Sequence, residues 1–160
     1  MRMPVRRHTI LSLAVLLMLL ISFADAFSLD MPGIQKDVAN YNSKVGNAPS
    51  ILKSMLGSEK INLVITRDDG SVFRVGMDMV SARIERTVAG GYSDSTIIVT
   101  TTQSAINEVV RSKDRIAAFK NQTDAGQIRF EATSWLAEVK LKAALSSTSV
   151  LQFGYSLFFS

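Results

Sequence analysis

The apolar positions of this chain fall into two periods. Ile34, Val38, Tyr41 and Val45 recur at +4, +3 and +4, behind Asp30-Met31-Pro32, which has the form of an N-cap followed by proline in the first turn. This predicts a helix that Gly46-Asn47-Ala48-Pro49 breaks. Ile51, Leu52, Met55 and Leu56 predict a second, short helix closed by Gly57. From Ile61 the period drops to two. Ile61 to Thr66 reads as a strand, Arg67-Asp68-Asp69-Gly70 carries the Asp-Gly hairpin signal, and Phe73, Val75, Met77 and Met79 share one face of the returning strand. Ser81 to Val88 adds a third strand, Gly90-Gly91 a turn, and Ser95 to Thr101, rich in Ile, Val and Thr, a fourth.

Helical spacing then resumes. Beyond Thr100-Thr101-Thr102, Ala105, Ile106, Val109 and Val110 line one side while Asn107, Glu108 and Arg111 face away. Asp114 caps a further short helix carrying Ile116, Ala117 and Phe119. Gly126 ends it, and Ile128, Phe130 and Ala132 alternate with Arg129 and Glu131 as a fifth strand. Ala137 to Leu145, "AEVKLKAAL", fits both periods. At period two, Ala137, Val139, Leu141, Ala143 and Leu145 share a face, whereas Leu136, Val139 and Ala143 stand at helical spacing. The order of helices, antiparallel meander, two helices and a strand predicts an α+β fold, with about five mainly antiparallel strands and helices over one face. After it comes a tail, 146–160, in which Leu151, Phe153, Tyr155, Leu157 and Phe159 alternate with Gln152, Gly154 and Ser156.

Composition refines this picture at the N-terminus. Arg2, Arg6 and Arg7 precede an apolar run from Ile10 to Phe23 and the small-x-small sequence Ala24-Asp25-Ala26. That is the pattern of a secretory signal peptide cleaved after Ala26, since the run falls short of the roughly 20 residues a membrane span needs. Cleavage leaves 134 of the 160 residues, enough for one domain, 27–160. Within it we expect N-terminal helices over 27–60, an α+β core over 61–145 and the hydrophobic tail. Lys+Arg falls from 18 to 15 and Asp+Glu from 14 to 13, so the mature net charge is +2. These charges are scattered singly, without the basic stripe and interleaved aromatics of a nucleic-acid binder.

The chain has no Cys, and its one histidine, His8, lies in the leader. The mature chain therefore has no means of building a conventional zinc site, a Ser-His or Cys-His couple, or an iron-sulfur cluster. Without disulfides, an exported fold relies on packing. Ser50-Ile51-Leu52-Lys53 matches a Ser-x-x-Lys pattern, but its companion motifs are absent and the chain is too short for that enzyme fold, so a helix start accounts for it. Asp68-Asp69 beside Gly70 reads as turn chemistry rather than acid catalysis or calcium binding. Asn121-Gln122-Thr123 is a possible N-glycosylation site, expected on an exposed connection.

From Ile61 to Leu145 the chain resembles the sterol carrier protein type 2 (sterol-transfer domain) family. The stretches that carry the resemblance are "INLVITRDDGSVFRVGM", "DSTIIVTTTQSAINEVVRSKDRIAAF" and "AGQIRFEATSWLAEVKLKAAL". Family members follow a strand begun by Asp-x-Thr with a Thr/Ser-capped helix, a second short helix with an Ala-Phe pair, a strand and a final amphipathic helix. The resemblance therefore implies a helix over Trp135 to Leu145, with Trp135, Leu136, Val139 and Ala143 inward. It also implies a noncatalytic protein that needs no cofactor and holds a lipid or other apolar small molecule, such as a sterol, fatty acid or acyl-CoA, in a tunnel between sheet and helices. The implied wall is Ile106, Val109, Val110, Ile116, Phe119, Phe130, Leu136 and Val139. This chain departs from the family in its export signal, in having Arg111-Ser112-Lys113 where a Gly commonly stands, and in Ala132-Thr133 after the last strand. A different class stays open: a cell-envelope structural or interaction module with a closed core, whose tail docks on a partner or membrane. In either class the tail aromatics Phe153, Tyr155, Phe158 and Phe159 read equally as a lid, a membrane-contact patch or an edge strand filling the pocket.

Overall fold

A computed structural model describes residues 29–147 and 149, so the leader and the aromatic tail lie outside the described residues. Asp30 caps helix α1 (Met31–Lys44), its carboxylate accepting from the Gly33 N–H at 2.7 Å, an arrangement worth about 1 kcal/mol. A 3-10 turn, Val45–Asn47, leads to the short α2 (Ser50–Met55). There follow β1 (Lys60–Thr66), β2 (Val72–Val80), β3 (Arg83–Ala89), β4 (Ile97–Thr102), α3 (Gln103–Arg111), α4 (Arg115–Asp124), β5 (Arg129–Ala132) and α5 (Trp135–Ser146). The Trp135 to Leu145 segment is thus a helix, as the resemblance implies.

The strands form one sheet in the order β3-β2-β1-β4-β5. Three pairings are antiparallel, but β4 runs parallel to β1. The expected meander therefore ends at β3. The chain leaves that edge strand, crosses the sheet, and returns beside β1. Asn62 secures the crossing, its side-chain amide donating to the Tyr92 carbonyl and accepting from the Tyr92 N–H, both at 2.8 Å. The Tyr92 ring lies against Gly76, where an added Cβ would come within 2.5 Å of it. Gly76 is therefore a space requirement rather than a weakness in β2.

Register puts Val75, Leu63, Val99 and Phe130 side by side, next to a row of Met77, Ile61 and Ile97. Ile61, Leu63, Ile65, Val75, Met77, Met79, Ile97 and Val99 are all buried, and the intervening residues face the other way. One apolar sheet face is the expected result of period-two patterning. The helices contribute Ile34, Tyr41, Leu52, Ala105, Ile106, Val109 and Phe119 to the same core, joined by Leu56 at the C-cap of α2, so they lie over that face.

The β2–β3 turn departs from expectation. Ser81 and Ala82 form a tight turn rather than strand, at φ 50° and 67°, which costs non-glycine residues roughly 1–2 kcal/mol each. Helix α1 holds it in place. The Tyr41 hydroxyl donates to the Ala82 carbonyl at 2.5 Å, and the Asn42 side chain pairs with both the N–H and the carbonyl of Ile84.

Candidate apolar ligand site

The expected tunnel wall divides into two groups. In α3, Thr102 caps the helix by accepting from the Ala105 N–H at 3.1 Å, which turns Ala105, Ile106 and Val109 onto the sheet, with Val110 partly buried beside them. Asp114 caps α4 in the same way, accepting from the Ala117 N–H at 2.9 Å, and this helix delivers Phe119 to the interior. Phe119 meets Phe130 of β5 with ring centroids 6.3 Å apart and planes tilted by 56°, within the favourable range for an aromatic pair. Ile106, Val109, Val110, Phe119 and Phe130 therefore come together on the apolar face of the sheet. Ile116 lies in α4, and its side chain is outside the description.

Leu136 and Val139 do not join them. The stripe Trp135, Leu136, Val139 and Ala143 was expected to face inward, and it faces solvent: Trp135 is 76% exposed, Leu136 56% and Val139 43%, with Ala143 also exposed. Ala137, at 2% exposure, points to the interior in their place. The physical reason lies one turn further on. Glu59, just before β1, is buried, and Lys140 donates to its carboxylate at 2.7 Å. An unpaired buried carboxylate costs several kcal/mol, so the face of α5 bearing Lys140 is drawn inward. Ala137, one turn earlier at i−3, goes with it. The sequence located the apolar stripe; the ion pair decided its direction.

Two of the hollows bounded by described residues bear on the expected tunnel. One lies under α1 and is lined by Ile34, Val38, Tyr41, Leu63, Met77 and Ile84, with Asp37 at its side. Its free volume is about 10 Å³, room for a single water. Burial raises the Asp37 carboxyl above the ordinary carboxylate range, against the lowering effect of Lys36, and burial likewise raises the Tyr41 phenol. The other hollow is open and polar, about 520 Å³, between Asp68 and the α3 residues Ser104, Asn107, Glu108 and Arg111. Neither matches the mostly apolar, enclosed volume of several hundred Å³ that a lipid chain requires.

The remaining candidate residues have structural partners. Asp69 accepts from the Ser71 N–H at 2.8 Å within the β1–β2 turn, and Gly70 adopts φ 83°. Lys53 donates to the Gly46 carbonyl at 2.8 Å, which ties α2 back to the turn before it. Asn121 is exposed, but it sits in the last turns of α4 rather than on the connection expected for it. Among the described residues, no group of His, Asp or Glu is placed to hold a metal, and no helix is long and apolar enough to cross a membrane. Glu59 and Asp37 escaped the sequence reading. Glu59 follows Gly57-Ser58 and looks like a solvated loop, and Asp37 stands among the polar positions of its helix.

No family profile matches the sequence, and neither does any curated protein. Among solved structures, the chain is similar to a sterol carrier protein 2 at 11% identity and TM-score 0.45, covering 73% of this chain and 92% of that one. It is similar to sterol carrier protein 2 from Yarrowia lipolytica in its apo form at 16% identity and TM-score 0.45, covering 81% and 94%. Sterol carrier protein 2 like 2 from Aedes aegypti stands at 14% identity and TM-score 0.43, covering 68% and 94%.

Proposed function

We propose that the protein is an exported, noncatalytic carrier that holds a sterol, fatty acid or acyl chain between its sheet and its helices. The observation that carries this reading is the seating of α5. Among the described side chains of α5 only Ala137 is buried, and the helix is fastened at Lys140, while its bulky apolar side chains face outward. We read the end of α5 where Trp135, Leu136 and Val139 stand outward as the place where the helical layer opens. An apolar chain admitted there lies against Phe130 and the buried faces of α3 and α4, and a roll of α5 brings Leu136 and Val139 onto it. Burial of about 10 methylenes at roughly 0.8 kcal/mol each supplies the gross driving force. Ionic chemistry is not required, and contact with a membrane surface through the apolar tail would serve loading and release.

The test is uptake by the delipidated mature chain of fluorescent fatty acid, sterol and acyl-CoA probes, alongside native mass spectrometry of protein purified from its own host without detergent. Saturable uptake that weakens in Phe130→Ala and Val139→Asp supports the reading. A clean unliganded mass together with no uptake of any probe overturns it. A second reading, a cell-envelope interaction module with a closed core, is favoured by the exposure of Trp135, Leu136 and Val139 on one helix face. It predicts an unliganded protein that is retained by an envelope partner and loses that partner on Leu136→Asp.

A further inference from the structure

We infer that the outward ridge of α5 is the seat of the chain's own C-terminal segment, residues 150–160. Helix α5 reads WLAEVKLKAALS, with eight apolar residues among twelve. They are distributed around the helix rather than gathered on one side, and a helix of that kind is stable when it is covered on both sides. The sheet and α2 cover one side, where Ala137 and the Glu59–Lys140 pair lie. Among the described residues nothing buries the other, which carries Trp135, Leu136 and Val139.

The sequence that follows is suited to that task. No charged residue occurs from Ala143 to Ser160, and five large apolar residues, Leu151, Phe153, Tyr155, Leu157 and Phe159, alternate along it. In an extended conformation they share one face. Three small polar residues, Ser147 to Ser149, separate them from the helix, which breaks at Ser147 before Ser149 is again helical. The reach is ample: the 11 residues from 150 to 160 span up to about 36 Å extended, while the 12 residues of α5 extend about 18 Å. The segment is also tethered directly to the surface it would cover, so its effective concentration there is of order millimolar. A membrane or a second copy has no such advantage. This inference does not depend on lipid carriage.

The protein supplies its own reporter, since Trp135 is its only tryptophan. In lipid-free buffer the full-length exported chain is expected to shield Trp135 from acrylamide, and the full-length double variant Phe153→Asp, Leu157→Asp to raise the quenching constant several-fold and shift emission to the red. Three results overturn the inference: a parent Trp135 as quenchable as free indole, shielding that the double variant leaves unchanged, and shielding that is lost on dilution, which would identify a second copy. Protection that appears only when phosphatidylcholine vesicles are added overturns it in favour of a lipid surface. Should the aspartates prevent folding, the cysteine-free background allows Leu136→Cys to be combined in turn with cysteine at Leu151, Phe153 or Tyr155. An intramolecular disulfide formed in excess of a Leu136→Cys, Asp69→Cys control supports the inference; its absence from all three pairs overturns it.

Discussion

Helices α1 and α5 lie over the same sheet and are held there by different means. Helix α1 buries Ile34 and Tyr41, and then makes side-chain hydrogen bonds from Tyr41 and Asn42 to the β2–β3 turn and the edge strand β3. Helix α5 buries Ala137 among its described side chains and makes an ion pair to the rest of the fold, Lys140 to Glu59, besides Lys142 to Glu138 within itself. Apolar burial is non-directional and grows with area, so a helix fixed by large side chains resists displacement in every direction. An ion pair is directional and acts at one point, so the described side chains hold α5 by a different kind of force. Among the described side chains, then, α1 is held by apolar burial and hydrogen bonds, and α5 by Ala137 and an ion pair to Glu59.

Substitution of the apolar side chains tests the contrast most strongly. Ile34→Ala removes a buried side chain and is expected to cost about 2–5 kcal/mol, whereas Val139→Ala, if its face is open to solvent, should stay within about 0.5 kcal/mol. Urea midpoints measure both. Equal losses would abolish the distinction, and a loss above 1 kcal/mol at Val139 would mean that the ridge is covered, as the C-terminal segment would cover it.

The ion pair comes next. Lys140→Met leaves the Glu59 carboxylate buried without its partner and is expected to cost about 3 kcal/mol, while Glu59→Met combined with Lys140→Met should recover most of that loss. Hydrogen exchange across 135–146 reads the consequence for α5, which should open faster in the single variant than in the double. If Lys140→Met proves neutral, the ion pair does not set the helix's orientation. On the α1 side, Tyr41→Phe leaves the Ala82 carbonyl without its donor in a buried turn and should lose about 1–2 kcal/mol by the same measurement.

What the sequence revealed follows from the range of the forces involved. Local signals were legible: the caps at Asp30, Thr102 and Asp114, the turn at Asp69-Gly70, and the period-two burial of β1, β2 and β4 each depend on residues a few positions apart. So was the final helix, once the order of elements resembled a known family. Two features depended on long-range partners and were not legible. The parallel placement of β4 beside β1 is secured in part by Asn62 gripping Tyr92, 30 positions away. The direction of α5 depends on Lys140 finding Glu59, 81 positions away. Period assigns a stripe to a helix, but a stripe has no direction until something across the fold claims the opposite side. Five of the eight expected wall residues are gathered together because α3 and α4 each have one apolar side to bury; α5 has more than one, and there the same reasoning chose the wrong side.

The smallest effect concerns Asp37, beside the hollow under α1. Burial raises its folded-state pKa above the unfolded value, so the neutral form is the one the fold favours. The sign follows from linkage. Below the ordinary carboxylate range Asp37 is protonated in both states and has no penalty. As pH rises through that range, the unfolded chain loses its proton first, and the folded state is destabilised relative to it until the folded pKa is passed. Asp37→Asn is therefore expected to raise stability slightly at neutral pH and to converge with the parent in acid. The half-buried position keeps the effect small. Urea midpoints of both chains from acid to neutral pH measure it, and a difference that grows towards acid would reverse the assignment. A ligand with an apolar chain lodged against Ile34 and Leu63 would displace water from the same carboxyl and raise its pKa further. The gap between parent and Asp37→Asn would then widen on loading if the chain lies under α1, and stay unchanged if it lies under α5. Asp37 would thus report whether a bound apolar chain lies under α1.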